Sequence, residues 1–559
     1  MGLSNNAEPL NTEDYQPFRS FALIWGITTL IHQLSFSFWL QTWPGWLLTY
    51  CAFLVVLEPR CFVRFSALIV TSLMNWFYKL PFVPNHMLFE GMINLMLLVG
   101  IIWVVWQHRK DLPSKKELMH EAWVRGWPFA LGILVKFVHL NLTSEPRDHV
   151  IGGATTLIMV VAIGSALARK PVEIPKVRRQ FIDTVAPVLR IQVVIIYIWA
   201  AIQKCNWDYW NPVHSCAALL HKEIALLLPM VPAAPWSQYC AIWGSLMFEF
   251  GIPILLLVPR LRALGFFAAI FFHLWLSVHP AGGIYSFSSL IFAALYLFLP
   301  KAATNELQSM WSRTLRSISK GQPDRARGII RWSIVVIFVV AVVFQGYLYL
   351  TQGRTREVFE TKANRVGFLL WLIWGVWLAQ CYLVAVWRER ASFRAWPNRP
   401  TLNPAWIMVI PVLFNGFNPW VGLKTQTSFS MYSNLRSEGN FGNHAFLKRW
   451  DLFPMQNDLV ELIDYEPNIL EPPEKPKNLM QHANSGSIFP YFELRRLLSE
   501  HDGDVRVIYR RNGEELGVIR KGDYVTGDEH LFKPIPWYQY KLLWFRRLES
   551  LEDPMHCTH

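Results

Sequence analysis

The sequence predicts an all-α polytopic membrane bundle of roughly a dozen helices, followed by a small soluble α+β domain. Three observations predict this fold class. Hydrophobic residues make up 53% of the 559 residues and charged residues only 17%, below the ~25% usual in soluble proteins. Long apolar runs recur along the chain, and the composition changes near residue 426. Together they exclude an ordinary soluble enzyme, a disordered chain and a fibrous repeat.

The apolar runs divide residues 20–425 into candidate transmembrane spans, after a polar N-terminal tail at 1–19. A hydrocarbon core of ~30 Å needs ~20 helical residues, and several of the runs are short for this. The stretch 213–231 is apolar but bounded by prolines, which indicates a re-entrant or interfacial segment. The N-terminal tail lacks the pattern of a cleavable signal peptide. The spans lie at about 20–40, 42–57, 62–80, 86–106, 127–143, 150–167, 184–204, 236–258, 261–279, 283–299, 329–350, 367–388 and 405–423.

Basic residues orient the predicted bundle. Lys and Arg concentrate in four segments separated by even numbers of spans, which places all four on one side, and the positive-inside rule makes that side cytoplasmic. The outer side then receives short connections such as 205–235, while the basic loop 351–366 does not fit the pattern. The four cytoplasmic segments are 107–125, 168–180, 300–331 and 388–399.

The last part of the chain, residues 426–559, is predicted to be a soluble domain on the outer side, provided that span 405–423 crosses the membrane. It holds 16 Lys/Arg and 20 Asp/Glu, a net charge of −4, against +13 for the whole chain. The positive charge therefore belongs to the membrane loops and does not indicate nucleic-acid binding. A Pro-rich linker is predicted at 466–478, and a helix at Phe489–Glu500. Asn512-Gly513 between two β-prone runs predicts a hairpin.

Ionisable residues inside the predicted spans are the candidate functional groups. A charge in the bilayer costs ~2.5–3.5 kcal/mol, so such a side chain usually faces a cavity or a partner. His86 and Glu90 lie four residues apart on one helix and hence on one face, so that Glu90 can orient the imidazole. Lys204 ends a strongly apolar run, Glu249 lies deep in another, and His273 is flanked by large apolar residues.

Each of these residues also has a purely structural interpretation. His86 fits a helix start at the interface, and Lys204 fits a side chain that snorkels to the headgroups. Glu249 can simply pair with a cation, and His273 can be an interhelical hydrogen-bonding group. However, His86, Lys204 and His273 all fall at or near the outer ends of their spans, which favours an outward-facing polar pocket. In such a pocket burial disfavours the charged form of Lys204 and makes it a potential base.

Other chemical signals in the sequence are weak. No GxSxG, HExxH, Walker A or GxGxxG motif stands in a suitable context. His108 and His120 lie in a basic loop without the spacing of metal ligands, so no metal site is predicted. Cys205 and Cys216 both fall on the predicted outer side, where they can form a disulfide. Asn141 begins the one glycosylation sequon near an outer loop.

Several of the same residues carry a family resemblance. The run IYIWAAIQKCNWDYW resembles the span of vitamin K-dependent gamma-carboxylases that carries the catalytic Lys, here Lys204, and PNHMLFEG resembles the stretch that carries the catalytic His, here His86. FFHLWLSVHPAGGIYSFSSLIF resembles a further conserved region through His273, Tyr285 and Ser286. NGFNPWVGLKTQTSFSMYSNLRSEGNFGNH looks like a signature of bacterial proteins with an HTTM (horizontally transferred transmembrane) domain. The resemblance covers about residues 20–450.

The resemblance implies a carboxylase mechanism. Neutral Lys204 would deprotonate a reduced vitamin K of the menaquinol type, O2 would convert it to a strong base, and CO2 would add to a Glu side chain of a peptide or protein substrate. His86, oriented by Glu90, would stabilise the developing negative charge, and His273, Tyr285, Ser286 and Glu249 would line the pocket.

The chain also departs from the carboxylase pattern. Gln203 stands where the family has a first Lys, and the C-terminal domain is shorter than the propeptide-binding domain of the animal enzymes. Two other functions therefore stay open: a non-enzymatic maturation or export factor for a secreted peptide, and a lipid or small-molecule transporter. In each case the expected location is the lipid bilayer of a bacterial cell membrane.

Overall fold

The chain is mostly helical. The structure, a computed structural model, describes residues 17–35, 42–110, 116, 175–279, 282–318, 323–352, 356–394, 401–439, 442–466, 486–501 and 503–557. These residues form 16 α-helices and one small antiparallel sheet. The predicted spans at 127–143 and 150–167, Asn141, His120 and almost all of the predicted linker at 466–478 lie outside the described residues.

The helices follow one another along the chain with short connections. In the first half they are α1 (Pro17–Leu34), α2 (Trp43–Leu57), α3 (Phe62–Lys79), α4 (Asn85–Gln107), α5 (Pro175–Gln203), α6 (Trp207–Trp210), α7 (Cys216–Leu227) and α8 (Pro235–Leu257). In the second half they are α9 (Arg262–Leu276), α10 (Gly282–Leu295), α11 (Lys301–Ile318), α12 (Pro323–Gln352), α13 (Arg356–Arg388), α14 (Val409–Val421), α15 (Tyr491–Ser499) and α16 (Trp537–Leu542).

Four of the described helices are long and apolar enough to cross a membrane. They are α4, α8, the part of α5 from Lys176, and the part of α13 from Asn364. A fifth span results if the bent pair Gly283–Phe298 and Lys301–Thr314, which meet at 117°, forms one span. The membrane-protein class is therefore supported, whereas the predicted number of roughly a dozen spans is not confirmed.

The predicted span at 405–423 is shorter than expected. Its helix, α14, has 13 residues, which at 1.5 Å per residue extend ~20 Å, less than the ~30 Å hydrocarbon core. A 3₁₀ turn at Pro404–Met408 precedes it, and Pro419 lies within its last turn. The length of α14 alone therefore does not support the expected crossing. In the stretch 213–231 the helix α7 has only 12 residues, in keeping with a segment that does not cross.

One compact unit, unit 1, consists of Met1–Asn75, Glu90–Val193 and Ile254–Met408. In it α1 packs against α2, α10 and α13. The N-terminal half of α1 is buried in an aromatic cluster, in which Phe18 contacts Phe65 edge-on at 5.3 Å between ring centroids. Such rings bury large apolar areas and fix the start of α1 in the interior.

Buried arginines in unit 1 donate hydrogen bonds to carbonyl groups near the C-terminal ends of helices. Arg64 donates to Leu54 O at 3.1 Å, and Arg190 donates from Nε to Leu297 O at 2.7 Å. Arg262 donates to Leu256 O at 2.9 Å. The last four carbonyl groups of a helix have no N–H partner within the helix. A guanidinium supplies N–H donors there, and its positive charge interacts favourably with the helix dipole.

The second compact unit, unit 2, consists of Trp76–Phe89, Val194–Pro253 and Val409–His559. Its sheet has the order β2-β1-β3-β4-β5, and all neighbouring strands are antiparallel. The helix α15 buries its apolar face against the sheet. The strands are β1 (Leu459–Glu466), β2 (Ile488–Pro490), β3 (Val505–Arg511), β4 (Glu514–Lys521) and β5 (Tyr524–Thr526).

The predicted hairpin is confirmed. Asn512 and Gly513 have φ of 53° and 84°, and the flanking residues Arg511 and Glu514 pair directly. Positive φ at both turn positions matches the right-handed twist of the strands, which is why Asn-Gly is favoured there. The predicted helix at Phe489–Glu500 is also present as α15, but it begins at Tyr491 because the two preceding residues pair with β1.

The disulfide that the sequence allowed between Cys205 and Cys216 does not form. Cys216 is bonded to Cys557, with 4.9 Å between their Cα atoms, and Cys205 is a buried free thiol. Cys205 lies two residues after the end of α5, and its Sγ lies 3.4 Å from Ala201 O. The bond that forms therefore joins α7 to the C-terminal segment of unit 2.

Candidate functional site

Lys204 and Glu249 form a buried ion pair in unit 2. Lys204 follows the last residue of α5, and its Nζ donates a hydrogen bond to Glu249 Oε1 at 2.8 Å. The two residues are 5% and 8% exposed. Lys204 therefore does not snorkel towards the surface. Glu249 does pair with a cation, as its structural interpretation predicted, and that cation is Lys204, the candidate base.

The geometry of this pair permits a proton to move within it. Two opposite charges are costly to bury, and a 2.8 Å contact is short enough for one proton to pass from Nζ to Oε1. The transfer converts ammonium and carboxylate into a neutral amine and a carboxylic acid. Glu249 Oε2 has no hydrogen-bond partner among the described residues. This oxygen can therefore still accept a hydrogen bond from an incoming group.

A buried, strained segment lies beside this pair, and we refer to residues 424–438 as the polar loop. Four of its non-glycine residues have positive φ: Thr427 (52°), Phe429 (66°), Tyr432 (49°) and Asn434 (53°). Such conformations are uncommon outside glycine, cost of order 1–3 kcal/mol each, and cluster at functional sites. The buried polar side chains of the loop are those of Lys424, Thr425, Thr427, Ser428, Ser430, Ser433, Asn434, Arg436, Ser437 and Glu438.

The polar loop joins the surroundings of Lys204 to those of His86. Gln203, next to Lys204, donates from Nε2 to Ser428 O at 2.7 Å. Phe429 N donates to Oδ1 of Asn85, next to His86, at 2.8 Å. Two consecutive loop residues thus bind the neighbours of the two predicted catalytic residues. His86 itself is 6% exposed.

The C-terminal segment of unit 2 holds the polar loop in place. Arg546 N donates to Thr425 Oγ1 at 3.0 Å, and its Nε lies 2.8 Å from Glu438 Oε1 in a buried ion pair. Asn434 Nδ2 donates to Met555 O at 2.8 Å, close to the disulfide at Cys557. The strained loop conformation is therefore enforced by partners far away in sequence.

Lys424 is a second buried lysine that the sequence analysis did not find. Its Nζ lies 3.5 Å from Thr427 Oγ1 within the polar loop. Burial lowers the pKa of Lys424 to about 7, because the ammonium form loses its hydration without gaining a carboxylate partner. A substantial share of this side chain is therefore a neutral amine near neutral pH.

Aromatic side chains flank the last turns of α5. Trp199 lies edge-on to Phe417 at 4.4 Å and packs on Trp420 at 5.5 Å between ring centroids. Gly416 makes this approach possible, because a Cβ there would lie 2.2 Å from the Trp199 ring. α14, too short for a span, thus serves as an aromatic wall beside the helix that ends at Lys204.

In unit 1, Glu90 has a partner that the sequence analysis missed. Its Oε2 lies 2.7 Å from Nδ1 of His32, and the two residues are 7% and 2% exposed. The sequence predicts that Glu90 orients His86, but the imidazole that Glu90 contacts belongs to His32. The signal was present, because His32 is an ionisable residue within the predicted span 20–40.

The other predicted pocket residues also lie in unit 1. His273 is fully buried, with Nδ1 3.4 Å from Ser288 Oγ. The Tyr285 hydroxyl lies 2.6 Å from Ser35 Oγ and 2.6 Å from Asn364 Oδ1. Ser286 contributes its carbonyl oxygen, which lies 2.8 Å from His32 Nε2. Tyr285 and Ser286 therefore line one buried polar region with α1.

The predicted site residues thus fall into two groups. Lys204, Glu249 and His86 belong to unit 2, and Glu90, His273, Tyr285 and Ser286 belong to unit 1. Among the residues that the structure describes, no group of three or more His, Cys, Asp or Glu side chains is arranged to hold a metal ion.

Comparison with known proteins identifies one domain. The family model for the HTTM domain matches residues 175–301, a segment that begins at α5 and ends at the first residue of α11. No curated protein and no solved structure gives a significant match. The matched segment contains Lys204, Glu249, His273, Tyr285 and Ser286.

Proposed function

From the HTTM domain at residues 175–301, we propose that this membrane protein is a carboxylase-like enzyme. It would couple oxidation of a reduced vitamin K hydroquinone by O2 to carboxylation of a Glu side chain. The observation that carries the proposal is the buried Lys204–Glu249 pair at 2.8 Å. Lys204 takes the position of the catalytic base in the carboxylases it resembles, and Glu249 can accept its proton and leave a neutral amine. The polar loop supports it further, because the loop binds the neighbours of both Lys204 and His86.

Lys204 acts as the proton acceptor in this proposal. Transfer of its proton to Glu249 leaves a neutral amine with a lone pair on Nζ. The amine then takes a proton from a substrate hydroxyl, which leaves an anionic oxygen beside a newly formed ammonium. General-base catalysis of this kind contributes typically 10²–10⁴-fold to a rate, and exclusion of water strengthens the attraction between the oxygen anion and the ammonium.

His86 is assigned the stabilisation of negative charge. A buried imidazole N–H can donate a hydrogen bond to a developing oxyanion without reorganisation, which is the most effective form of electrostatic catalysis. Asn85, held by Phe429 N at 2.8 Å, fixes the first turn of α4 from which His86 projects. We assign this positioning role to the polar loop and not to Glu90, whose partner is His32.

We place the quinol ring beside the aromatic side chains of Trp199, Phe417 and Trp420, since stacked or edge-on aromatic contacts favour flat ligands. A reduced vitamin K bound there would supply, on oxidation by O2, the base strength needed to remove a γ-proton of Glu, to which CO2 is then added. This chain's own contribution is to bind the ring, to accept the first proton at Lys204 and to exclude water.

We further propose that the substrate is a peptide or protein on the outer side of a bacterial cell membrane. The disulfide Cys216–Cys557 supports this orientation, because disulfides persist in oxidising compartments such as the periplasm and not in the cytosol. The same bond ties α7 to the C-terminal segment that holds the polar loop, so the candidate site and the disulfide belong to one side.

The test is reconstitution of the full chain in lipid nanodiscs with reduced menaquinone or phylloquinone, labelled bicarbonate and a Glu-containing peptide. We expect quinol-dependent label incorporation by the parent. Lys204→Arg should lower it by at least about a hundredfold, because a guanidinium stays protonated. Lys204→Met keeps the packing of the stem and should have the same effect.

The matched control is Lys541→Met, which removes a lysine of unit 2 that donates to the backbone of Tyr78 at 3.1 Å. Its activity should equal that of the parent. Carboxylation that survives Lys204→Arg would refute the base role. Absence of both quinol oxidation and label incorporation in the parent would refute the carboxylase and favour a maturation factor or a transporter.

A further inference from the structure

The contact between His32 and Glu90 in unit 1 determines how many protons the two side chains share. His32 Nε2 lies 2.8 Å from Ser286 O. A carbonyl oxygen can only accept, so Nε2 must carry a hydrogen. His32 Nδ1 lies 2.7 Å from Glu90 Oε2, a distance at which one proton must lie between the two atoms. Without that proton, the nitrogen lone pair would face a carboxylate oxygen.

Two arrangements satisfy this geometry, and both contain the same number of protons. Either His32 is an imidazolium and Glu90 a carboxylate, or His32 is a neutral imidazole and Glu90 a carboxylic acid. The two differ only in whether the proton is bonded to Nδ1 or to Oε2. Both have zero net charge, which removes most of the cost of burying the pair.

The surroundings of the pair are polar and extend along one face of α1. Thr28 Oγ1 donates to Ser289 O at 3.2 Å, and His32 Nε2 lies 3.1 Å from Ser289 Oγ. One turn further, Ser35 Oγ lies 2.6 Å from the Tyr285 hydroxyl. Polar groups of this kind are costly inside an apolar bundle and are usually retained there for function.

His32 contacts the Glu90 carboxylate on α4, and α10 contributes the Ser286 carbonyl and the Ser289 hydroxyl. Asn94, one turn after Glu90 on α4, binds Trp25 Nε1 at 3.2 Å and Ser72 Oγ at 2.8 Å, and so it does not take part in the pair. The proton between His32 and Glu90 is therefore separate from the remaining hydrogen bonds of α4.

We propose that unit 1 contains a proton-binding site, formed by His32 and Glu90, that holds one transferable proton in the interior of the helical bundle. Its ligand is the proton itself. In the transfer step the Oε2–H bond of Glu90 breaks as the Nδ1–H bond of His32 forms, and no other reactant is needed. The Ser289 hydroxyl lies 3.1 Å from Nε2 and donates to Ser286 O at 2.8 Å. The site is independent of the proposed carboxylase activity.

The experiment is infrared spectroscopy of the full chain in nanodiscs, recorded in H2O and D2O over a pH series from about 5 to 8, which lies above ordinary carboxyl titration and spans that of an ordinary imidazole. The parent should show one proton equivalent, as a carboxylic-acid or an imidazolium band that shifts in D2O and persists over the series. Glu90→Gln should lose the Glu90 carboxyl bands.

In His32→Gln the carboxylic-acid band of Glu90 should grow at pH 7, because a buried carboxylate without an imidazolium is disfavoured. Asn94→Ala is the matched control and should reproduce the parent spectrum. The site is refuted if Glu90 of the parent is an ordinary carboxylate beside a neutral imidazole throughout the series. It is equally refuted if Glu90 of His32→Gln remains a carboxylate at pH 7.

Discussion

We expect Lys424 to make the stability of the protein depend on pH. Its pKa is about 7 in the folded chain against ~10.4 for a free Lys side chain. The unfolded chain therefore binds more protons between pH 7 and ~10.4, and stability should rise with pH across this window. The full difference of about three and a half pKa units corresponds to about 5 kcal/mol, as an upper bound.

The measurement is the thermal unfolding midpoint in detergent at pH 7, 8, 9 and 10 for the parent and for Lys424→Met. The variant keeps a similar volume without the amine, so it should be more stable at pH 7 and should lose most of the rise. Lys521→Met, at an exposed lysine that ends β4, serves as the control. Parallel curves for the parent and for Lys424→Met would contradict this explanation.

Glu249 offers a second test at the residue scale. In Glu249→Gln the amide keeps an oxygen for Lys204 Nζ but cannot accept its proton, so the proposed transfer from Nζ to Oε1 is lost. Activity should fall by about 10²-fold or more, with the folded state intact. Glu249→Asp, which retains the acid, should recover part of the rate. A Glu249→Gln enzyme with parental activity would show that the pair is structural only.

At the scale of the element, the hairpin β3–β4 tests backbone strain. Gly513 has φ of 84° and Gly517 does not have positive φ, yet a Cβ at either position would meet no atom within 4 Å. Gly513→Ala should therefore cost about 1 kcal/mol. Gly517→Ala should be neutral or stabilising. The comparison of the two variants therefore isolates the cost of positive φ, because neither added Cβ clashes with a neighbouring atom.

The measurement for the hairpin is hydrogen exchange of the peptides covering 505–521 in the full chain. About 1 kcal/mol corresponds to roughly fivefold faster exchange for Gly513→Ala. Equal exchange in the two alanine variants would show that the turn does not hold the strained conformation.

The hairpin could be predicted from the sequence because its signal is local: Asn512-Gly513 has few good conformations other than a tight turn. The polar loop could not. Its strain and burial depend on Asn85, Gln203 and Arg546, which lie more than 100 residues away along the chain. A run rich in Ser, Thr and Asn reads as an exposed turn when those partners are unknown.

At the scale of the whole molecule, the membrane class predicted from the sequence is supported, whereas the predicted number of roughly a dozen spans is not confirmed. Apolar length alone suggested a crossing at 405–423, whereas α14 packs its aromatic residues beside α5. Lys204 and Glu249 were both found because ionisable residues stand out in apolar runs. The sequence indicated only that Glu249 could pair with some cation. It did not identify Lys204 as the partner, because the two residues are 45 positions apart and no local sequence pattern connects them.

The disulfide is the prediction that belongs to the whole chain. Counting thiols by alkylation and mass spectrometry, before and after reduction, should show a gain of two in the parent because Cys216 and Cys557 are released. Cys216→Ser and Cys557→Ser should each abolish that gain. Cys205→Ser should keep it, because Cys205 is a free thiol. A gain of two in Cys216→Ser would contradict the pairing.

The same disulfide imposes an order on biosynthesis. Cys216 and Cys557 are 341 residues apart, and at about 5–20 residues per second the ribosome needs roughly 17–70 s to reach the second after making the first. Cys205, eleven residues upstream of Cys216, exists throughout this interval. The first available partner of Cys216 is thus not its final one. The native yield in cells should consequently depend on late oxidation or on an isomerase that exchanges the early bond.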